Sequence, residues 1–195
     1  MSTLVYVHGT NGSGKSTLAR AVIAAAGGQT LYDRHPKLPR AASTHTARGV
    51  TLLGRYRATC GGVDLIAPYQ DVLSEIQRQR KTGHETVFAE GLITPGVETC
   101  TRMAMHFLDA HFIHLDTPEE QCHANMLARR KRMGKADQPY DPRNIYSKAR
   151  SARSWVNNLQ RSGLNAYGLQ FKQARETVFH LLGLTEPTVD DILGI

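Results

Sequence analysis

The chain has 195 residues, 41% of them hydrophobic and 21% charged, which is globular composition sufficient for one domain with its own core. That excludes disorder as the main state, and collagen-like or coiled-coil designs. Twenty-four Lys and Arg against 17 Asp and Glu leave a net charge of +7, the balance of a protein that meets a polyanion or an anionic substrate.

Met1 to Gly9 has no basic segment and only a short apolar run, so no signal peptide is expected. Leu4 to Val7 is apolar and β-branched and ends at a glycine, which predicts a buried strand. Ser16 to Ala26 is Ala-rich, with Leu18, Val22 and Ile23 at helical spacing, and Gly27-Gly28 stops it. Thr30 to Tyr32 predicts a weak second strand, and the polar, basic, Pro-punctuated stretch from Arg34 to Arg48 a loop. Val50 to Tyr56 reads as extended and is broken at Gly61-Gly62. Tyr69 to Lys81 places Val72, Leu73 and Ile76 on one helical face. Glu85 to Glu90 is a buried strand, Val97 to His106 a helix and His111 to Leu115 a strand. Thr117-Pro118-Glu119-Glu120 opens a helix that runs to about Met133. A polar loop from Gly134 to Pro142 precedes a helix over Asn144 to Gln160, an extended Leu164 to Leu169 and a helix over Phe171 to Leu182, with a short acidic tail after Gly183. Strands alternating with helices imply an α/β fold whose parallel sheet is flanked on both faces.

Three cysteines, Cys60, Cys100 and Cys122, fit neither a zinc knuckle nor a CxxC pair, so a reduced cytosolic protein without structural metal is expected. No run approaches the length of a membrane span. His111 and His114 stand three apart on a strand and face opposite ways, which argues against a metal site with His106. The single Trp155, at helical spacing, reads as core packing ahead of base stacking.

Gly9-Thr10-Asn11-Gly12-Ser13-Gly14-Lys15-Ser16-Thr17 satisfies G-x-x-x-x-G-K-[ST], after a strand and before a helix. Its glycines let successive backbone N–H groups turn toward a phosphate, and the helix N-terminus adds favourable partial charge. In this pattern Lys15 reaches the β- and γ-phosphates and Ser16 binds magnesium.

With this loop the chain resembles the P-loop kinases, namely the small adenylate-, shikimate- and polynucleotide-kinase-like enzymes with a mobile lid. The resemblance implies one P-loop NTPase-like domain over residues 1–195. Its three-layer sandwich would hold a five-stranded parallel sheet and a helical lid at about 129–153, and it would use ATP and Mg2+. It implies a carboxylate after the third strand that supports magnesium or the acceptor. Here that residue is Glu90, where Asp is more usual. It also implies an acceptor-binding Asp near the end of the second strand, where Asp33 stands, flanked by Arg34 and Lys37. Asp64 is the rival, because a strand runs into Gly61-Gly62 and then a carboxylate, and glycines there admit a substrate close to the backbone. Which of Asp33, Asp64 and Glu90 is the base is left open by the residues.

The segment Gly54-Arg55-Tyr56…Cys60-Gly61-Gly62-x-Asp64, with Glu90-Gly91 after the third strand, resembles a narrower group. These are phage-encoded P-loop kinases that phosphorylate 5-hydroxymethyluracil already in DNA, on the route to hypermodified thymidine. That resemblance implies a base hydroxymethyl group as acceptor, a base flipped from the stack, and a protein of the host cytoplasm. Arg55, Tyr56, Gly61 and Gly62 then join Asp64 as substrate-binding candidates.

Ten basic residues between Gln121 and Arg161 face only Asp137 and Asp141, so this segment carries +8 and the rest of the chain −1. Arg129 and Arg132 share a helical face and suit a transferring phosphoryl group. The surplus suits a DNA backbone. Two other readings stand beside a DNA kinase: a deoxynucleoside monophosphate or small-metabolite kinase, and a DNA-stimulated P-loop ATPase or switch module.

Overall fold

The computed structural model describes residues 2–38, 40–56, 62–66, 68–92, 94–135, 138 and 141–185, the side chains of 144 and 148–150 excepted. Cys60, Gly61, Asp137 and most of the acidic tail lie outside these residues.

The expected elements form, with shifted ends. In chain order they are β1 (Thr3–His8), α1 (Lys15–Ala25), β2 (Gln29–Arg34), β3 (Ala42–Thr46) and β4 (Val50–Leu53). A single 3-10 turn (Val63–Leu65) precedes α2 (Tyr69–Lys81), β5 (Thr86–Gly91), α3 (Val97–Ala104) and β6 (Asp109–Leu115). The chain continues as α4 (Glu119–Arg132), α5 (Arg143–Arg161), β7 (Asn165–Leu169) and α6 (Phe171–Leu181).

The sheet has seven strands in the order β2-β3-β4-β5-β1-β6-β7. From β4 to β7 all neighbours are parallel, whereas β2–β3 and β3–β4 are antiparallel. The expected five parallel strands are therefore present, but inside a mixed sheet with a two-stranded antiparallel extension.

That extension overturns the loop expected over Arg34 to Arg48. All five residues of β3 are buried, and four are polar. Hydrogen bonds satisfy them: Ser43 donates to Glu75, Thr44 to the Gly54 carbonyl and Thr46 to the Val50 carbonyl, while His45 Nδ1 lies 3.0 Å from Thr51 Oγ1. Gly49, at φ 78°, allows the turn back into β4.

Alternation along β1 divides the core. Leu4 and Tyr6 join Val87, Ala89 and Phe112 under α2, α3 and α5; Val5 and Val7 join Phe88, Ile113 and Leu115 under α1 and α6. Trp155, 4% exposed, packs with Tyr6 and Phe112 and donates to the Pro95 carbonyl at 2.8 Å, so it is a core residue. With Val156 and Leu159 it fixes the second half of α5 to the sheet, so α5 is a core layer as far as Leu159, beyond the lid boundary expected at 153. Cys100 and Cys122 are buried free thiols. Among the described residues no helix is long and apolar enough to cross a membrane.

The antiparallel extension is fastened to α2 by a buried ion pair. Glu75 is fully buried, and Arg78 donates to its carboxylate through Nε (2.9 Å) and Nη2 (2.7 Å). The Arg78 hydrogen bonds, with those from Ser43 and Gln79, outweigh burial and hold the Glu75 carboxyl below the usual carboxylate range. Replacing Arg78 by Met leaves that carboxylate without its charge partner. Such losses cost about 3–5 kcal/mol. Urea denaturation of Arg78→Met at pH 7 should show a loss of this size; a midpoint within error of wild type would refute it.

Candidate active site

The nine-residue glycine-rich loop lies at the carboxyl end of β1, where the strand order reverses between β5 and β6. Gly12 (φ 82°) and Gly14 (φ 102°) need the left-handed region, and both are crowded: a Cβ on Gly12 would meet the Cys122 backbone, and one on Gly14 the Phe171 ring at 2.8 Å. Thr117 Oγ1 donates to the Ser13 carbonyl and Asn125 Nδ2 to the Gly12 carbonyl, both at 2.9 Å, so α4 and the turn before it clamp the loop from outside. Thr10 and Ser13 are buried, and Gly9 packs on Ser13. No side chain caps α1, so its first N–H groups are open to an anion.

Asn11, Gly12 and Gly14 to Thr17 line a cavity of about 350 Å³. Lys15, 8% exposed, donates to the Gly9 and Thr10 carbonyls at 2.7 and 3.0 Å. Ser16 donates to Glu90 Oε1 at 3.2 Å. The β1–β5 register, with Val7 opposite Glu90 and His8 opposite Gly91, places that carboxylate beside the loop.

Asp64 and Glu90 line the same cavity. Gly62, at φ 83°, lies directly on the end of β5: a Cβ there would overlap the Glu90 carbonyl and come within 2.8 Å of its carboxylate. The expectation that this glycine admits substrate is corrected, because the space it leaves is taken by β5. The close contact turns Asp64 toward β5, where both carboxylate oxygens accept the Leu92 N–H at 2.8 and 2.9 Å.

Burial pushes the Glu90 carboxyl up to about 7 and the negative charge of Asp64 adds to it, against the pull of Lys15, Ser16 and Arg20. A carboxyl that titrates near neutrality beside the Ser16 hydroxyl is suited to a divalent cation, which would favour its charged form. Ser16 and Glu90 bring a hydroxyl and a carboxylate oxygen together beside the loop, a donor pair that a hard divalent cation could use.

Arg129 and Arg132 enter the cavity from α4, on the face that carries Asn125. The neighbouring Arg130 turns back and donates to the Lys135 and Gln138 carbonyls. Arg20, which sequence reading missed, also lines the cavity. It follows Ser16 by four residues on α1, so helical spacing was the signal that pointed to it.

Other expected site residues stand elsewhere. Asp33 lies on β2, at the sheet edge four strands from β1, and Arg78 donates to it at 2.6 Å. It belongs to the ion-pair cluster that fastens the extension. Arg34 and Arg55 each lie over the ring of this region's Tyr32, with the guanidinium carbon 5.8 Å from the ring centre. Lys37 is exposed, and its backbone N–H donates to His35. Tyr56 is packed in the core and donates to the Leu53 carbonyl; burial raises its phenol well above the usual range, and the nearby Glu90 and Asp64 charges add to the rise. Gly61 is outside the described residues.

The chain is 29% identical over 173 residues to a 5-hmdU DNA kinase of Pseudomonas phage PaMx11, a match covering 83% of this chain and 87% of that protein. It is 27% identical over 176 residues to a 5-hmdU DNA kinase of Delftia phage PhiW-14, covering 83% of this chain and 65% of that longer protein. No protein-family model matches the chain.

The position of Glu90 predicts a pH-dependent cost. Its folded value of about 7 exceeds the ordinary 4.5, so unfolding releases a proton between the two. Stability therefore falls as pH rises from 4.5 to 7, by on the order of 3 kcal/mol at ~1.4 kcal/mol per unit. Glu90→Gln lacks this loss. Its melting temperature relative to wild type should be higher at pH 8 than at pH 4.5, and an equal difference at both would remove the basis for the shift.

Proposed function

We propose that this chain is an ATP-dependent kinase of the P-loop kind that phosphorylates the 5-hydroxymethyl group of 5-hydroxymethyluracil in DNA. The observation that carries the chemistry is the meeting of Lys15, Ser16, Asp64 and Glu90 with Arg129 and Arg132 in one cavity at the carboxyl end of the parallel sheet. The likeness over 83% of the chain to two 5-hmdU DNA kinases supports the acceptor.

In this reading the loop N–H groups and Lys15 bind the nucleotide phosphates. Ser16 and Glu90 hold magnesium, which supplies charge neutralisation on the phosphates. Asp64, fixed by the Leu92 N–H, takes the proton of the acceptor hydroxyl as its oxygen bonds to the γ-phosphorus and the bond to the β-phosphate bridging oxygen breaks. Arg129 and Arg132 stabilise the charge that develops on the transferring group and the departing ADP. The segment at about 129–153 would be the lid. The basic residues outside the cavity grip the DNA backbone.

Labelled ATP should transfer its γ-phosphate to 5-hydroxymethyluracil oligonucleotides and not to unmodified DNA or free deoxynucleoside monophosphates. Label in the monophosphates would replace this reading with a nucleotide kinase, and acceptor-independent hydrolysis stimulated by DNA with an ATPase module. Lys15→Ala and Asp64→Asn should each lower transfer by about 100-fold or more. Asp33→Asn should keep transfer and lose about 1 kcal/mol of stability, because its partner is Arg78. Oligonucleotide binding should weaken with salt with a slope of about −3 or steeper.

A further inference from the structure

The parallel ladder between β1 and β5 ends at the pair His8 and Gly91. Beyond it the two chains part, β1 into the phosphate loop and β5 into the turn that carries Leu92. A side chain takes over the holding at this point. His8 Nε2 lies 3.2 Å from the Leu92 carbonyl oxygen and 3.0 Å from Thr94 Oγ1.

The chemistry of these partners sets the hydrogen positions. A carbonyl only accepts, so Nε2 carries the hydrogen and shares it with the Thr94 oxygen. His8 Nδ1 is then an acceptor, and it lies 3.3 Å from His114 Nδ1. His8 is 1% exposed and His114 2%. The Trp155 ring lies 5.0 Å from the His8 ring, centre to centre, and its indole N–H holds the Pro95 carbonyl of the same turn. Burial pushes the His114 imidazole down to about 4, so His114 is neutral at pH 7.

Leu92 is held at both of its backbone polar groups: its carbonyl by His8, and its N–H by the two oxygens of Asp64. We propose that the His8 imidazole is the positioning residue for Asp64, fixing the Leu92 backbone that aims the carboxylate into the cavity. His114 packs against the His8 ring from β6, and Trp155 holds the Pro95 carbonyl from the α5 side. The inference rests on the reading of Asp64 as the acceptor-side carboxylate. An aromatic side chain of similar size fills the same space but gives Leu92 no donor, which separates positioning from packing.

The test compares His8→Phe with His8→Gln, whose side-chain amide can supply the lost N–H. Amide hydrogen exchange needs no substrate. In His8→Phe, exchange at Leu92 should quicken by about tenfold or more while Phe88, in the middle of β5, keeps its protection. In His8→Gln, Leu92 should return toward wild type. With 5-hydroxymethyluracil DNA, His8→Phe should lower kcat by about tenfold and leave the KM for ATP within about twofold, and His8→Gln should recover most of kcat. Unchanged Leu92 exchange in His8→Phe, or equal kcat in the two variants, overturns the proposal. Quickened Leu92 exchange in a protein whose wild type phosphorylates no 5-hydroxymethyluracil DNA keeps the positioning role and overturns the acceptor instead.

Discussion

The backbone of Gly62 pressed onto the carboxyl end of β5 is the contact on which the site depends. Three glycines make it possible. A Cβ on Gly54 would come within 2.8 Å of the Gly62 Cα, one on Gly62 would overlap Glu90, and one on Gly91 would lie 2.7 Å from Val63 Cγ2. Removing three side chains from one place brings three chain segments, the end of β4, Gly62-Val63 and the end of β5, into close contact. Asp64 follows two residues later and reaches the Leu92 N–H across that contact. The same approach covers Glu90 and takes it out of water, which is the main cause of its raised titration. One packing event thus places one carboxylate and tunes the other.

What sequence reading reached was local. The glycine-rich loop is a contiguous pattern between a strand and a helix, and Lys15 meets the Gly9 and Thr10 carbonyls within that same pattern. Glu90 was legible because it ends an apolar strand, and Arg129 and Arg132 because helical spacing puts them on one face. The antiparallel extension was not legible. Ser43, Thr44, His45 and Thr46 are buried against polar partners from β4, from Gly54 and, through Glu75, from α2, and no hydrophobic period marks them. Asp33 misled for the same reason: its position in the chain suits an acceptor residue, but its partner Arg78 is 45 positions away. The role of His8 was equally hidden, since Leu92, Thr94 and His114 meet it only when three strands have paired.

The antiparallel extension also explains how the sheet edge is kept from pairing further. β2 is the edge strand, and along it lie Asp33, in its ion pair, and Tyr32, flanked by Arg34 and Arg55. Charged and bulky side chains at an edge oppose the addition of another strand. Arg34 and Arg55, which sequence reading assigned to the acceptor, thus also pack on Tyr32 beside the sheet edge.

Charge in the cavity is arranged for a ligand that brings more negative charge than the protein can offset with two carboxylates present. Lys15, Arg20, Arg129 and Arg132 line it with Asp64 and Glu90, an excess of two positive charges when both carboxylates are ionised. Burial holds Glu90 near its titration midpoint at neutral pH, so part of the population carries three. Under the proposed function, a triphosphate would be drawn in by that excess, and a divalent cation beside Ser16 would drive off the Glu90 proton as it bound. Glu90 would then limit repulsion between the two carboxylates before the ligands arrive and supply its charge once a cation is there to meet it. The Leu92 N–H, which does not titrate, would anchor Asp64 through that change.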